Sequence, residues 1–183
     1  MKVLNVLAAL LLPVSAAQAA EWKVLPGDSV LTFAGVQTGE KFTGKFSKFD
    51  ARVSLDPDRL DEARIIVTVD VASAATGDRQ RDTAMPGKEW FDVAGFPQAR
   101  FESRKVSKTA VGYEALGDLT LRGVTKELRL PFTLEIDGAR ARAKGHVNLK
   151  RDLFGVGQGE WATGDWVALD VGVDFDLKAE RAD

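Results

Sequence analysis

Apolar and polar residues alternate with a period of two almost from end to end of this chain, and no other feature restricts its fold so strongly. In "GDLTLRGVTKELRLPF" (Gly117 to Phe132), Leu119 and Leu121 share one face with Leu128, Leu130 and Phe132 beyond a turn. "SVLTFAGV" places Leu31 and Phe33 together, and "RIIVTVDVA" sets Ile65, Val67, Val69 and Val71 against Ile66, Thr68 and Asp70. "ARARAKGHVNLK" sets Ala139, Ala141, Ala143, Gly145, Val147 and Leu149 against a charged face that includes His146. "DWVALDVGVDFDLKA" opposes Val167, Leu169, Val171, Val173, Phe175 and Leu177 to Asp170, Asp174 and Asp176. Such alternation marks antiparallel strands that bury one face each.

In "KFTGKFSKFDARVSLD" the phase slips between Phe46 and Phe49, which predicts a β-bulge around Ser47–Lys48. With the stretches near Ala99 and Val111 the count reaches about eight strands, the number at which a closed barrel is either filled or holds one small ligand. Closure also removes the free edges that invite aggregation. The expectation is an all-β, single antiparallel barrel with turns at Asp137-Gly138 and Gly155 to Gly159. The one stretch out of period, "TGDRQRDTAMPG", predicts a short helix over about 78–85, capped by Asp78 and stopped by Pro86-Gly87.

The first nineteen residues read as a leader. Lys2 is a short basic start, "VLNVLAALLLPV" an apolar run too short to span a bilayer, and "AQA" at Ala17 to Ala19 a cleavage site. The domain division is therefore 1–19, cleaved, and 20–183, one domain matured in the periplasm. Loss of Lys2 takes the formal charge from −2 to −3. The charges are interspersed, which argues against a nucleic-acid partner or stable membrane insertion. The chain has no cysteine, so it relies on an ordinary core without disulfide staples.

Several positions on the inward face are small: Gly44, Ala51, Ala115, Gly117, Ala139, Ala141, Ala143 and Gly145. They leave either a cavity or room for opposing phenylalanines. A cavity lined this way is apolar and selects a long hydrocarbon, because sugar or nucleotide hydroxyls would go unpaired inside it. Candidate wall residues are Leu31, Phe33, Phe46, Val67, Val69, Leu119, Leu121, Leu130, Phe132, Ala143, Val171 and Val173. Arg79 and Arg81 on the helical segment are candidates for a phosphate or quinone head group, or else part of a solvated capping cluster. Trp90, Phe91 and Phe96 line the mouth or plug the end. His146, the only histidine, sits among charges with no second metal ligand or nucleophile, so no catalytic residue, metal or cofactor is assigned. "GVGQGEW" lacks the lysine and helix of a phosphate loop and reads as a flexible hairpin.

The order of motifs resembles the YceI-like, polyisoprenoid-binding family of exported bacterial proteins. "DSVLTF", "GKFSKFDARVSLD", "DVASAATGDRQRD", "EWFDVAGFPQARFES", "GDLTLRGVTKELRLPF" and "FGVGQGEW" carry the resemblance over nearly the whole chain after the leader. The resemblance implies a lipocalin-like barrel around a tunnel, with a polyisoprenoid lipid (a prenyl phosphate) or an isoprenoid quinone as partner. A homodimer is compatible with it. Two departures stand out: relatives place a histidine where this chain reads "AGVQTGEKF", and another where it has Thr83-Ala84-Met85. The rival readings are an enzyme acting on a lipid-like substrate and a structural or stress-related envelope protein with no ligand.

Overall fold

A computed structural model describes residues 20–182; the expected leader and its cleavage site lie outside the described residues. Eight antiparallel strands form a closed up-and-down barrel with one helix. Strand β1 has two segments, Glu21–Val24 and Val30–Gln37, separated by a 3-10 turn at Pro26–Asp28. Strand β2 runs over Glu40–Phe46 and Phe49–Ser54, and β3 over Arg64–Asp70 with a short continuation at Ala74–Ala75. Helix α1 (Arg79–Ala84) precedes β4 (Gln98–Thr109), β5 (Gly112–Leu121), β6 (Val124–Asp137), β7 (Arg140–Lys150) and β8 (Asp170–Arg181). Each strand pairs with the next, and β8 closes the ring on both segments of β1, through Phe175↔Leu31 and Lys23↔Glu180.

The break in β2 falls at Ser47–Lys48, so the bulge keeps Phe46 and Phe49 on the inside, as the slipped phase requires. The two-residue turns Thr38-Gly39 and Arg122-Gly123 have positive φ at both positions, the geometry whose twist suits a tight hairpin. Three expectations are corrected. Ala139 is exposed in the β6–β7 turn rather than inward, because the turn falls at Gly138-Ala139. Strand β8 begins at Asp170, and Val167 is buried in the loop before it. The glycine-rich stretch after β7 forms two 3-10 turns, Arg151–Phe154 and Gly159–Trp161, instead of an open hairpin.

The four connections β1–β2, β3–β4, β5–β6 and β7–β8 gather at one end, called here the top. The termini and the other turns lie at the bottom. There Trp22, Leu55, Ala63, Phe101, Val106, Ala115 and Phe132 pack into a solid floor, with Ala115 fully buried. The Trp22 indole N–H donates to the Leu55 carbonyl at 2.9 Å, satisfying the one polar group that this side chain brings inside.

Pairing fails along two seams. Between β3 and β4 the ladder stops at Ile66↔Glu102, and the Ile65 N–H turns to the hydroxyl of the buried Ser103 at 2.8 Å. This lower seam leads into the packed floor. Between β6 and β7 the ladder stops at Gly145↔Phe132, although β6 continues to Val124 and β7 to Lys150. Pro131, next in β6, has no N–H to offer, which suits a strand edge.

Candidate functional site

Above the floor the barrel is hollow. A cavity of about 360 Å³ runs up its axis, within the size range of small-molecule sites. Strands supply most of its wall because their alternate residues point inward, and α1 and the loops at the top supply most of the rest. Every wall residue expected from the sequence lines it: Leu31, Phe33, Phe46, Val67, Val69, Leu119, Leu121, Leu130, Phe132, Ala143, Val171 and Val173. Among the lining side chains only Gln37, Gln80, Arg81 and Arg151 carry an amide or a charge; no hydroxyl and no carboxylate faces inside.

The small inward residues divide into two groups. The glycines make no space, since each is covered by a phenylalanine. A Cβ on Gly44 would stand 2.3 Å from the Phe33 ring, one on Gly145 2.4 Å from Phe175, and one on Gly117 2.8 Å from Phe101. The alanines differ among themselves: Ala51 and Ala115 are buried away from the cavity, whereas Ala141 and Ala143, with Ala179, line it at its lower end. Both sequence readings of the small residues therefore hold, at different positions.

The top is closed by the loops. Asp78 caps α1, accepting from the N–H groups of Gln80 and Arg81. Asp82 accepts from Thr76 N–H, Thr76 hydroxyl and Gly77 N–H, and these bonds, the Thr76 backbone first, hold its carboxyl below the usual aspartate value. Arg81 donates to Gln37 Oε1 at 3.0 Å and lies 4.8 Å over the Phe42 ring, with its other terminal nitrogen at a long 3.8 Å from Asp78. Arg79 is exposed and does not reach the cavity. Trp90 and Phe91 line the top of the cavity, whereas Phe96 packs on Gly123 outside it.

The residue that sequence reasoning missed is Arg151, only 4% exposed. Its five donors reach the carbonyls of Ala168, Val156, Gly157, Trp161 and Val167 at 2.5–3.3 Å, and its guanidinium lies 5.3 Å from the Trp90 ring. Burial pulls its pKa below the ordinary arginine value, but a guanidinium stays charged in any accessible pH. Gly157 packs so closely on it that a Cβ there would stand 2.0 Å from an Arg151 terminal nitrogen. A single buried cation thus ties the two 3-10 turns and the approach to β8 into one lid. The signal in the sequence is slight: an arginine one residue past the alternating run, followed by "FGVG".

His146 lies outside the barrel, bonded to Asp174 at 2.8 Å and Asn148 at 3.2 Å. Asp170 and Asp176 also lie outside, paired with Lys150 and Arg142, and Asp70 caps a 3-10 turn. Among the described residues no cluster of histidine, cysteine or carboxylate side chains could hold a metal ion, and no helix is long and apolar enough to cross a membrane.

A closed barrel with a hydrocarbon-lined interior and a few polar groups at one end defines a class of hollow antiparallel β-barrels. The comparisons specify which one. The model of the YceI-like domain matches residues 22–179, and the chain belongs to that family. It is 34% identical over 153 residues to a UPF0312 protein of Photorhabdus laumondii, covering 78% of this chain and 80% of that one. A Yersinia pestis UPF0312 protein is 36% identical over 115 residues, and the chain spans 60% of its length. Among solved structures, Burkholderia cenocepacia BcnA superposes with a TM-score of 0.81 at 33% identity, over 85% of this chain and 98% of that one. A polyisoprenoid binding domain from Saccharophagus degradans shares the fold at 19% identity, with a TM-score of 0.65 over 91% and 100% of the two chains.

Proposed function

We propose that this protein binds and carries a polyisoprenoid lipid, a prenyl phosphate or an isoprenoid quinone, in the periplasm. The observation that carries the reading is the cavity wall, which offers hydrocarbon everywhere except at its top. Burying each methylene contributes about 0.8 kcal/mol, so an isoprenoid chain binds through desolvation with no covalent step. The relation to a fold whose Saccharophagus member is described as polyisoprenoid binding supports the same reading. The polar head rests at the top, where Arg81, Gln37 and Gln80 lie together. Arg81 fits this role better than Arg79, because it alone of the two borders the cavity.

The protein acts without catalysis. An enzyme would need titratable groups converging inside the barrel, and the carboxylates and the histidine of the alternating strands face outward. The leader is removed before Ala20 on export, leaving the domain 20–183; N-terminal sequencing of the exported protein returns Ala20, and a chain beginning at Met1 contradicts this. The binding reading is tested by titrating delipidated protein with a benzoquinone bearing a ten-carbon isoprenoid tail. Trp90 and Trp161 line the cavity, so tryptophan emission falls saturably toward one quinone per chain. Linear, non-saturating quenching overturns the reading.

A further inference from the structure

Resting on the binding reading above, we infer that the isoprenoid enters and leaves the barrel sideways, through the split between the upper halves of β6 and β7. At the bottom Trp22, Leu55, Phe101 and Phe132 border the cavity and pack with Ala63, Val106 and Ala115 into one buried cluster across that end. The lid offers a costly path: the Arg151 guanidinium bonds five carbonyls from Val156 to Ala168, and displacing it strands a buried charge and its acceptors.

The upper seam has no such barrier. Beyond Gly145↔Phe132 no hydrogen bond or ion pair joins residues 124–131 to residues 146–150. Each strand remains anchored on its far side, β6 to β5 as far as Leu121↔Val124 and β7 to β8 as far as Lys150↔Asp170. The divergence is built into the sequence. Pro131 cannot donate to a ladder, and Gly145 sits so close to the Pro131 carbonyl that a Cβ would stand 2.4 Å from it.

The two lips carry the right side chains. Leu128 and Leu130 on β6, and Val147 and Leu149 on β7, all line the cavity. A chain slipping between them passes the unpaired backbone groups of the two strand edges and then meets hydrocarbon side chains only. Leu153, 53% exposed, stands on the 3-10 turn that follows β7 directly, and it extends this apolar edge outward. The lower seam is the internal contrast. It is also an unpaired stretch, but its loose N–H is satisfied by Ser103 and the side chains behind it, Ala63, Phe101 and Val106, belong to the buried cluster. A lateral portal also suits a ligand with a head group, since the chain need not be threaded tail-first past α1.

The absence of native cysteine makes the test clean. Continuing the β6–β7 register places Arg129 opposite Asn148, both exposed. The double variant Arg129→Cys with Asn148→Cys is bridged by a short bifunctional maleimide. The control bridges Thr120→Cys with Thr125→Cys, opposite each other in the fully paired β5–β6 wall. Stopped-flow quenching by the ten-carbon isoprenoid benzoquinone reads uptake, and dilution of loaded protein into vesicles reads release. Bridging the split slows both rates at least tenfold with the equilibrium affinity little changed. The control bridge, and both variants capped with N-ethylmaleimide, match the unmodified protein. Unchanged rates in the bridged split overturn the portal and place entry past α1. A control bridge that slows exchange equally overturns it too, since wall stiffness and not the split is then limiting. If unmodified protein shows no saturable quenching, the binding reading fails and the portal with it.

Discussion

The floor and the hollow above it are made from the same strands and the same residue types, yet one is solid and the other open. In the floor, Ala115 is fully buried in one cluster with Phe101, Val106 and Phe132, so its small side chain is matched by bulk from the two neighbouring strands. Higher up, Phe33 and Phe175 fold onto the glycines beside them, Gly44 and Gly145, and lie against the wall instead of crossing the interior. Space therefore depends less on how small a residue is than on where its large neighbour lies. That difference lets one β-barrel provide stability at one end and a binding cavity at the other.

The largest expected effect comes from unlocking the lid. Arg151→Met removes five hydrogen bonds and leaves buried carbonyls without donors, so unfolding stability falls by about 3–5 kcal/mol. Urea denaturation checks this, and a loss below about 1 kcal/mol would mean that the loop holds itself without the clamp.

The next pair separates floor from cavity directly. Ala115→Leu overpacks the floor and costs about 1–3 kcal/mol. Ala143→Phe projects a ring into the cavity, so delipidated stability changes by less than about 1 kcal/mol while co-purifying lipid falls sharply. Thermal unfolding beside lipid content gives opposite patterns for the two variants. A destabilised Ala143→Phe that keeps its lipid would assign Ala143 to the packed region.

Acid should loosen the top. The Asp82 pKa is lowered from 3.8, chiefly by the Thr76 backbone N–H and then by its hydroxyl. A carboxylate with a depressed folded pKa stabilises the fold above its unfolded value, and that contribution disappears as pH falls through the lower folded value. The tie between α1 and Thr76 thus persists at neutral pH and is lost below about 3.8. Amide signals of Thr76 and Gly77, followed by NMR down this range, shift in wild type, and Asp82→Asn flattens the response.

The smallest effect is His146→Ala. The ring is outside the barrel and half exposed, so stability and ligand binding change by no more than about 0.5 kcal/mol. A larger loss would place the imidazole in the binding function.

Alternation alone made most of this molecule legible. It identified the wall residues strand by strand, and a three-residue step located the bulge between Phe46 and Phe49. The helix followed from Asp78 and Pro86-Gly87, because capping chemistry is local. Arg151 was not legible, since its five acceptors lie 5 to 17 residues away along an irregular loop that has no period to read. The β6–β7 split escaped for a related reason: alternation says which way a side chain points and not whether its strand is paired on both sides. Pro131 was its one local clue.

The central claim, that the hollow half carries an isoprenoid, is met most directly by mass spectrometry of the organic extract from protein purified natively from its own cells. The account predicts a single class of polyisoprenoid, near one molecule per chain, which is lost from Ala143→Phe prepared in parallel. An extract with no bound lipid, or with ordinary phospholipid acyl chains in the same amount from both proteins, would contradict it.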